Sequence, residues 1–148
     1  MKHVIIDTYA FLAAATNTLS PKAKGVLLQI KKGFLSGVIH GLIIYEVVYH
    51  WHKGRLPGFA STNELLDSME KIFRVAKLTS NIFAEAAKIK GMGDELLRKS
   101  EDTTLRGRSL SACDAVSIAL AARHGYPILS GDRDLSYVAR KMQVEILW

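Results

Sequence analysis

Short apolar runs alternate with longer stretches of helical periodicity along this chain. His3-Val4-Ile5-Ile6-Asp7 reads as a buried strand over residues 3–7, and Thr8-Tyr9-Ala10-Phe11-Leu12 as the apolar start of a helix. Ser20 and Pro21 then open a helix, serine as N-cap and proline in the first turn, which runs over 22–32 and stops at Gly33. Residues 34–39 read as a second strand, followed by a helix over about 42–53 that Gly54 closes and a loop over 55–61. Ser61 and Glu64 form a capping-box pattern for a helix reaching Ile72. Residues 74–78 alternate polar and apolar as a half-exposed strand does. Thr79 or Ser80 caps the next helix, which reaches about residue 99, with Gly91-Met92-Gly93 as a break in its second half. A polar loop over 100–110 leads to a small-residue helix over 112–124 that ends at Gly125. A strand over 126–130, a helix over 135–142 and a last strand over 144–147 complete the pattern.

Repeated β-then-α order predicts a three-layer α/β/α fold with a mostly parallel central sheet, as one domain spanning residues 1–148. Such sheets bind ligands beyond the carboxyl ends of their strands. The longest uncharged apolar run, near residues 33–45, is too short to span a membrane, and the N-terminus enters a strand without a signal-peptide pattern. The expectation is a soluble, cytoplasmic protein. The lone cysteine, Cys113, lies in an apolar helical pattern and reads as core packing.

Four carboxylates stand out against this pattern. Asp7 ends the first strand, Glu46 interrupts the apolar helix, Asp114 lies in the first turn of the small-residue helix, and Asp132 follows Ile128-Leu129-Ser130-Gly131. Acids beside a hydrophobic core are costly unless something positive compensates them. Each has an ordinary structural role open to it. Asp7 suits an N-cap, Asp114 completes a capping box with Ser111, and Asp132 suits a turn, with Asp134 capping the helix that follows. Glu46 fits such a role least, because no solvated face is evident around it. Asp7 and Asp132 both follow strands directly, which places them at one edge of the sheet.

This set resembles the PIN-domain nucleases from end to end, and most closely the small VapC-type toxins of prokaryotic toxin–antitoxin pairs. Val4-Ile5-Ile6-Asp7-Thr8 resembles the family's first strand and first metal-binding acid. Glu46 in Tyr45-Glu46-Val47 corresponds to its helix glutamate, and Leu110-Ser111-Ala112-Cys113-Asp114-Ala115 to the segment of the third acid. Ile128-Leu129-Ser130-Gly131-Asp132 resembles the fourth, with Ser130 in the usual Ser/Thr position. Tyr9 departs from the pattern, since the second position after the first aspartate is usually small and polar.

The resemblance implies a metal-dependent endoribonuclease in which Asp7, Asp114 and Asp132 hold the ion, Glu46 completes the ligand shell, Ser130 and Thr8 support it, and Asp134 stands in reserve. All-oxygen ligands favour Mg2+ or Mn2+ over zinc. The histidines offer no zinc spacing, because His50 and His52 point to opposite sides of a helix. Converging carboxylates repel one another, and a divalent cation neutralises them. Formal net charge is +6, and setting the four acids aside leaves an excess of ten positives, which favours a polyanionic partner such as RNA. Arg106, Arg108, Arg133 and Arg55 are the expected RNA contacts, with Lys53 beside them. The resemblance further implies a small antitoxin that covers the acids and a homodimer, for which Tyr45, Val48, Tyr49 and Trp51 offer apolar surface. Core packing explains those aromatics equally well. Two other classes remain to be weighed: a binding module with a degenerate site, and an aspartyl phosphotransfer domain, whose second aspartate would fall where Tyr9 stands.

Overall fold

The computed structural model describes residues 2–148. Strands β1 (Lys2–Ile6), β2 (Leu35–His40), β3 (Arg74–Ala76), β4 (Ile128–Leu129) and β5 (Ile146–Leu147) form one sheet in the order β3-β2-β1-β4-β5. Every neighbouring pair is parallel. Helices α1 (Thr8–Ala15), α2 (Pro21–Lys31), α3 (Gly41–His52), α4 (Thr62–Ile72), α5 (Ser80–Arg98), α6 (Ala112–His124) and α7 (Arg133–Lys141) connect the strands. The chain builds outward from β1 on one side through β2 and β3, then returns to lay down β4 and β5 on the other. A crevice therefore opens between the carboxyl ends of β1 and β4, where strand order reverses. Among the described residues no helix is long and apolar enough to cross a membrane.

The buried isoleucines explain why β1 lies at the centre. Val4, Ile5 and Ile6 are all buried, as a strand covered on both faces requires. Ile5 pairs with Ile128 and Ile6 with Leu129, so the residues that follow, Asp7 and Ser130, emerge level with each other. The Asp7 amide still donates to the Leu129 carbonyl at 3.2 Å, fixing that register. Both β4 and β5 are shorter than their apolar runs predict. Pro127 brings no amide hydrogen to the ladder, and at Ser130 the chain turns toward α7.

Helix α6 is buried along nearly its whole length, including Cys113, Ala115, Val116 and Ile118 through Ala121. Small side chains let it lie close to both the sheet and α5. Helix α5 runs unbroken through Gly91-Met92-Gly93, against the expected break. A Cβ on Gly93 would meet Leu110 Cδ2 at 2.9 Å and Val138 Cγ1 at 3.1 Å, so the missing side chain makes a contact possible. That packing outweighs a helix penalty of about 1 kcal/mol for glycine. One turn of α5 also grips the backbone ahead of α6. Lys90 Nζ donates to the Leu110 carbonyl at 2.7 Å, and the Leu110 amide donates to Asp94 Oδ1 at 2.8 Å.

Serine and threonine caps fall where the spacing predicts: Ser20, Ser61, Thr79 and Ser111 each accept from a backbone amide at the start of a helix. The cap of α7 differs. Asp132, not Asp134, accepts from the Leu135 amide at 2.9 Å, so the helix begins at Arg133 rather than at residue 135. Inside the fold, His40 is fully buried at the end of β2 and its Nε2 lies 2.9 Å from Ser117 Oγ on α6.

Candidate active site

Each of the four acids is delivered by a different element. Asp7 leaves β1 and caps α1, Glu46 projects from α3, Asp114 sits in the first turn of α6, and Asp132 caps α7. Ser130 ties two of these together. It is fully buried; its Oγ donates to Asp7 Oδ2 at 2.7 Å and accepts from the Asp132 amide at 3.1 Å. Thr8, also buried, ties in a third by donating from Oγ1 to Glu46 Oε1 at 2.9 Å. The expected supporting residues thus join β1, β4, α3 and α7 into one hydrogen-bonded group.

The charges of the acids act on one another. Burial pushes the Asp7 carboxyl up from 3.8 to about 6; hydrogen bonds from Ser130 and Tyr9 pull against this, and the charges of Asp132 and Glu46 add to it. Asp114 rises to about 8, from burial first and then from Asp7, Asp132 and Glu46, with only the Ser111 bond opposing. Burial raises the Cys113 thiol far above its ordinary value, and Glu46, Asp7 and Asp114 raise it further. Cys113 is therefore an inert thiol packed beside the acids.

No lysine or arginine forms an ion pair with Asp7, Glu46, Asp114 or Asp132 among the described residues. Asp134 contrasts with them: Arg108 Nε donates to its Oδ2 at 2.8 Å, while burial and Asp132 raise its carboxyl pKa. A protein cation already serves Asp134, whereas the other four acids have none. Their donor set is all oxygen, which suits a hard divalent cation such as Mg2+ or Mn2+. Among the described residues no three acidic, histidine or cysteine side chains form a ready-made chelating group. Asp7 and Asp132 share Ser130, Glu46 is held by Thr8, and Asp114 is held by Ser111.

The arginines expected at the substrate surface all lie on the outside, each with a partner. Arg106 Nε donates to the Ser100 carbonyl at 2.7 Å, and Arg55 lies 2.9 Å from His50 Nδ1. Arg133 pairs with Asp102 and donates to Thr104 Oγ1 at 2.9 Å. Arg108 and Arg133 thereby flank α7 at the start of the acid site. Tyr9 points outward, 42 % exposed, and meets the Trp148 ring edge-on at 5.3 Å between centroids. Gly131 makes that contact possible, since a Cβ there would lie 2.5 Å from Trp148 Cε2 and 2.6 Å from Tyr9 Cε1. Nothing in the local sequence announces this cluster, because Trp148 reaches the site only through the pairing of β5 with β4.

Comparison with known proteins agrees with this architecture. The family model of the PIN domain matches residues 4–141. By sequence, no individual characterised protein gives a significant match. Among solved structures, the protein PAE2754 of Pyrobaculum aerophilum superposes with a TM-score of 0.59 at 19% identity, over 93% of this chain and 86% of that one. The sarcin–ricin-loop-cleaving toxin VapC20 of Mycobacterium tuberculosis gives 0.59 at 18% identity, over 90% and 92%. VapBC2 of Rickettsia felis, solved on a DNA fragment of its promoter, gives 0.63 at 12% identity, over 97% and 96%. At these identities the superpositions establish the fold, and the family match covers nearly the whole sequence: the chain belongs to the PIN-domain family.

Proposed function

We propose that this protein is a metal-dependent endoribonuclease and the toxin of a toxin–antitoxin pair. The observation that carries the proposal is a set of four acids, three of them joined through Ser130 and Thr8 and the fourth, Asp114, raised by the charges of the others, with no protein cation paired to any of them. Such a set is stable at neutral pH only when protonated or bound to a cation. Asp7, Asp114 and Asp132 would hold a Mg2+ or Mn2+ ion, with Glu46 completing the shell. The chemistry such an ion would bring there is a bound water of lowered pKa and stabilisation of charge on a phosphodiester oxygen.

The protein's own groups do the rest. Ser130 and Thr8 hold Asp7 and Glu46 in one orientation, so the carboxylates present oxygens rather than rotating freely. Arg108 and Arg133 sit beside the site and exchange their carboxylate partners for phosphates when a strand arrives. The basic excess draws RNA to that edge. VapC20 is a sarcin–ricin-loop-cleaving toxin and VapBC2 was solved bound to a promoter DNA fragment; the shared fold supports a nuclease toxin with an antitoxin partner here. An antitoxin segment would cover the acids, with an arginine supplying the missing positive charge. Tyr45 and Tyr49, 69 % and 47 % exposed on α3, would form the surface of a homodimer.

The test is cleavage of a panel of structured and single-stranded RNAs by wild type and Asp7→Asn, each with Mg2+, Mn2+ or EDTA. Cleavage by wild type alone, abolished by EDTA, is the expected result. Folded wild-type protein that binds RNA and cleaves nothing would refute the nuclease and favour a binding module.

A further inference from the structure

We infer that the groove between α7, the 102–105 turn and Trp148 is a nucleotide subsite, in which a base of single-stranded RNA stacks on Trp148 while Arg140 and Lys141 hold its phosphates. The inference rests on the ribonuclease reading above and names how that site grips its substrate.

The groove has a volume of about 600 Å3, within the range of small-ligand pockets. Its floor is Ser130 and Gly131, the turn that carries Asp132 and whose serine bonds Asp7. A strand lying in it would pass beside the turn that precedes Asp132. One wall is a single face of α7, where Arg133, Ser136, Tyr137, Arg140 and Lys141 recur at helical spacing. The other wall is Trp148, half-buried and steadied by Tyr9 and Gly131.

The chemistry of the two walls fits a nucleotide better than other anions. Arg140 and Lys141 are exposed and enter no ion pair among the described residues, unlike Arg108 and Arg133. Lys141 Nζ lies 5.6 Å above the Tyr137 ring, which orients the ammonium without neutralising it. Two unpaired cations opposite an aromatic platform match the alternation of phosphate and base in a single strand. An acidic peptide would use the cations and leave the indole without a partner. Tyr9 gains a role in this arrangement: the residue that departs from the family pattern braces Trp148.

The test is equilibrium binding of a fluorescein-labelled adenylate RNA hexamer and an abasic hexamer of the same backbone, in EDTA at low salt. Wild type is expected to prefer the base-bearing strand by about 10-fold, the scale of one base–aromatic stack. Trp148→Ala should erase that preference, and Trp148→Phe, which keeps the wedge against Tyr9, should retain most of it. Arg140→Ala with Lys141→Ala should weaken both strands alike and reduce the slope of log affinity against log salt by about 1.4, for two phosphates. Equal binding of the two hexamers by wild type, no binding of either, or a preference that survives Trp148→Ala would overturn the subsite. If wild type still cleaves RNA in that event, the nuclease reading stands and only the groove is wrongly assigned. A Trp148-dependent preference in a protein that cleaves nothing would instead overturn the nuclease and keep the subsite.

Discussion

Asp7→Asn should stabilise the metal-free protein while abolishing its activity. Asp7 is 3 % exposed and its carboxyl is raised from 3.8 to about 6. Roughly two units at 1.36 kcal/mol each put the cost of ionising it in the fold at about 3 kcal/mol. An amide avoids that cost with little loss of bonding. Ser130 Oγ and the Tyr9 amide both donate to Oδ2, and an asparagine carbonyl in that place accepts from both. The sign follows from linkage. A carboxyl whose pKa rises on folding leaves stability intact below its unfolded value near 4, and stability is lost as pH rises through 6. In EDTA at pH 8 the variant should therefore exceed wild type by about 1–3 kcal/mol, a rise in Tm of roughly 3–9 °C for a chain of this size. At pH 4 the difference should shrink toward zero. Saturating Mg2+ should also narrow it at pH 8, because an ion bound to the native state of wild type stabilises that state. Urea or thermal melts at pH 4 and pH 8, with EDTA and with Mg2+, supply the comparison. A variant no more stable than wild type at pH 8, or a gain equal at both pH values, would refute the reasoning.

Two further outcomes are expected. Burial holds His40 well below its ordinary value, from 6.5 to about 4, so the fold loses stability as pH falls from 6.5 toward 4, opposite in sign to Asp7 and worth about 3 kcal/mol. The double variant His40→Leu/Ser117→Ala removes the buried imidazole together with its partner. Its stability should fall less than that of wild type between pH 7 and pH 4.5, and an equal fall would show that His40 is not the acid-sensitive group. Sedimentation of Tyr45→Glu/Tyr49→Glu should show a shift to monomer, with the melting profile little changed because both side chains are exposed. An unchanged mass would remove this face of α3 from the proposed dimer.

Much of the fold was legible because strand and helix differ in period and the caps were conventional serines and threonines. Asp7 stands out because burying a carboxylate is costly, and it is buried; Glu46 draws notice on the same ground but is only half-buried, on a helix whose Tyr45 and Tyr49 are exposed. What escaped depends on contacts distant in sequence. Gly91 and Gly93 read as a helix break, yet Gly93 is where α5 meets Leu110 and Val138, and only the packed partner reveals it. Asp132 and Asp134 both precede an apolar helical run; the sequence pattern assigns the cap to Asp134 and a turn to Asp132, and the structure reverses this. What separates their roles is Arg108, 26 positions away, which donates to Asp134. The brace of Tyr9, Gly131 and Trp148 joins both ends of the chain through the sheet, and no local pattern encodes such a contact.

The central claim is that the four carboxylates form one site for a divalent cation. Mn2+ titration followed by electron paramagnetic resonance at pH 7.5 tests it directly, in wild type, Asp7→Asn, Asp114→Asn and Asp134→Asn. Wild type should bind Mn2+, with affinity lowered at least roughly 10-fold by Asp7→Asn and by Asp114→Asn, since losing even an outer-shell partner of a metal costs about that much. Asp134→Asn should bind nearly as wild type does, because Arg108 already serves that carboxylate. Equal affinity in wild type and Asp7→Asn, or a loss confined to Asp134→Asn, would contradict the account.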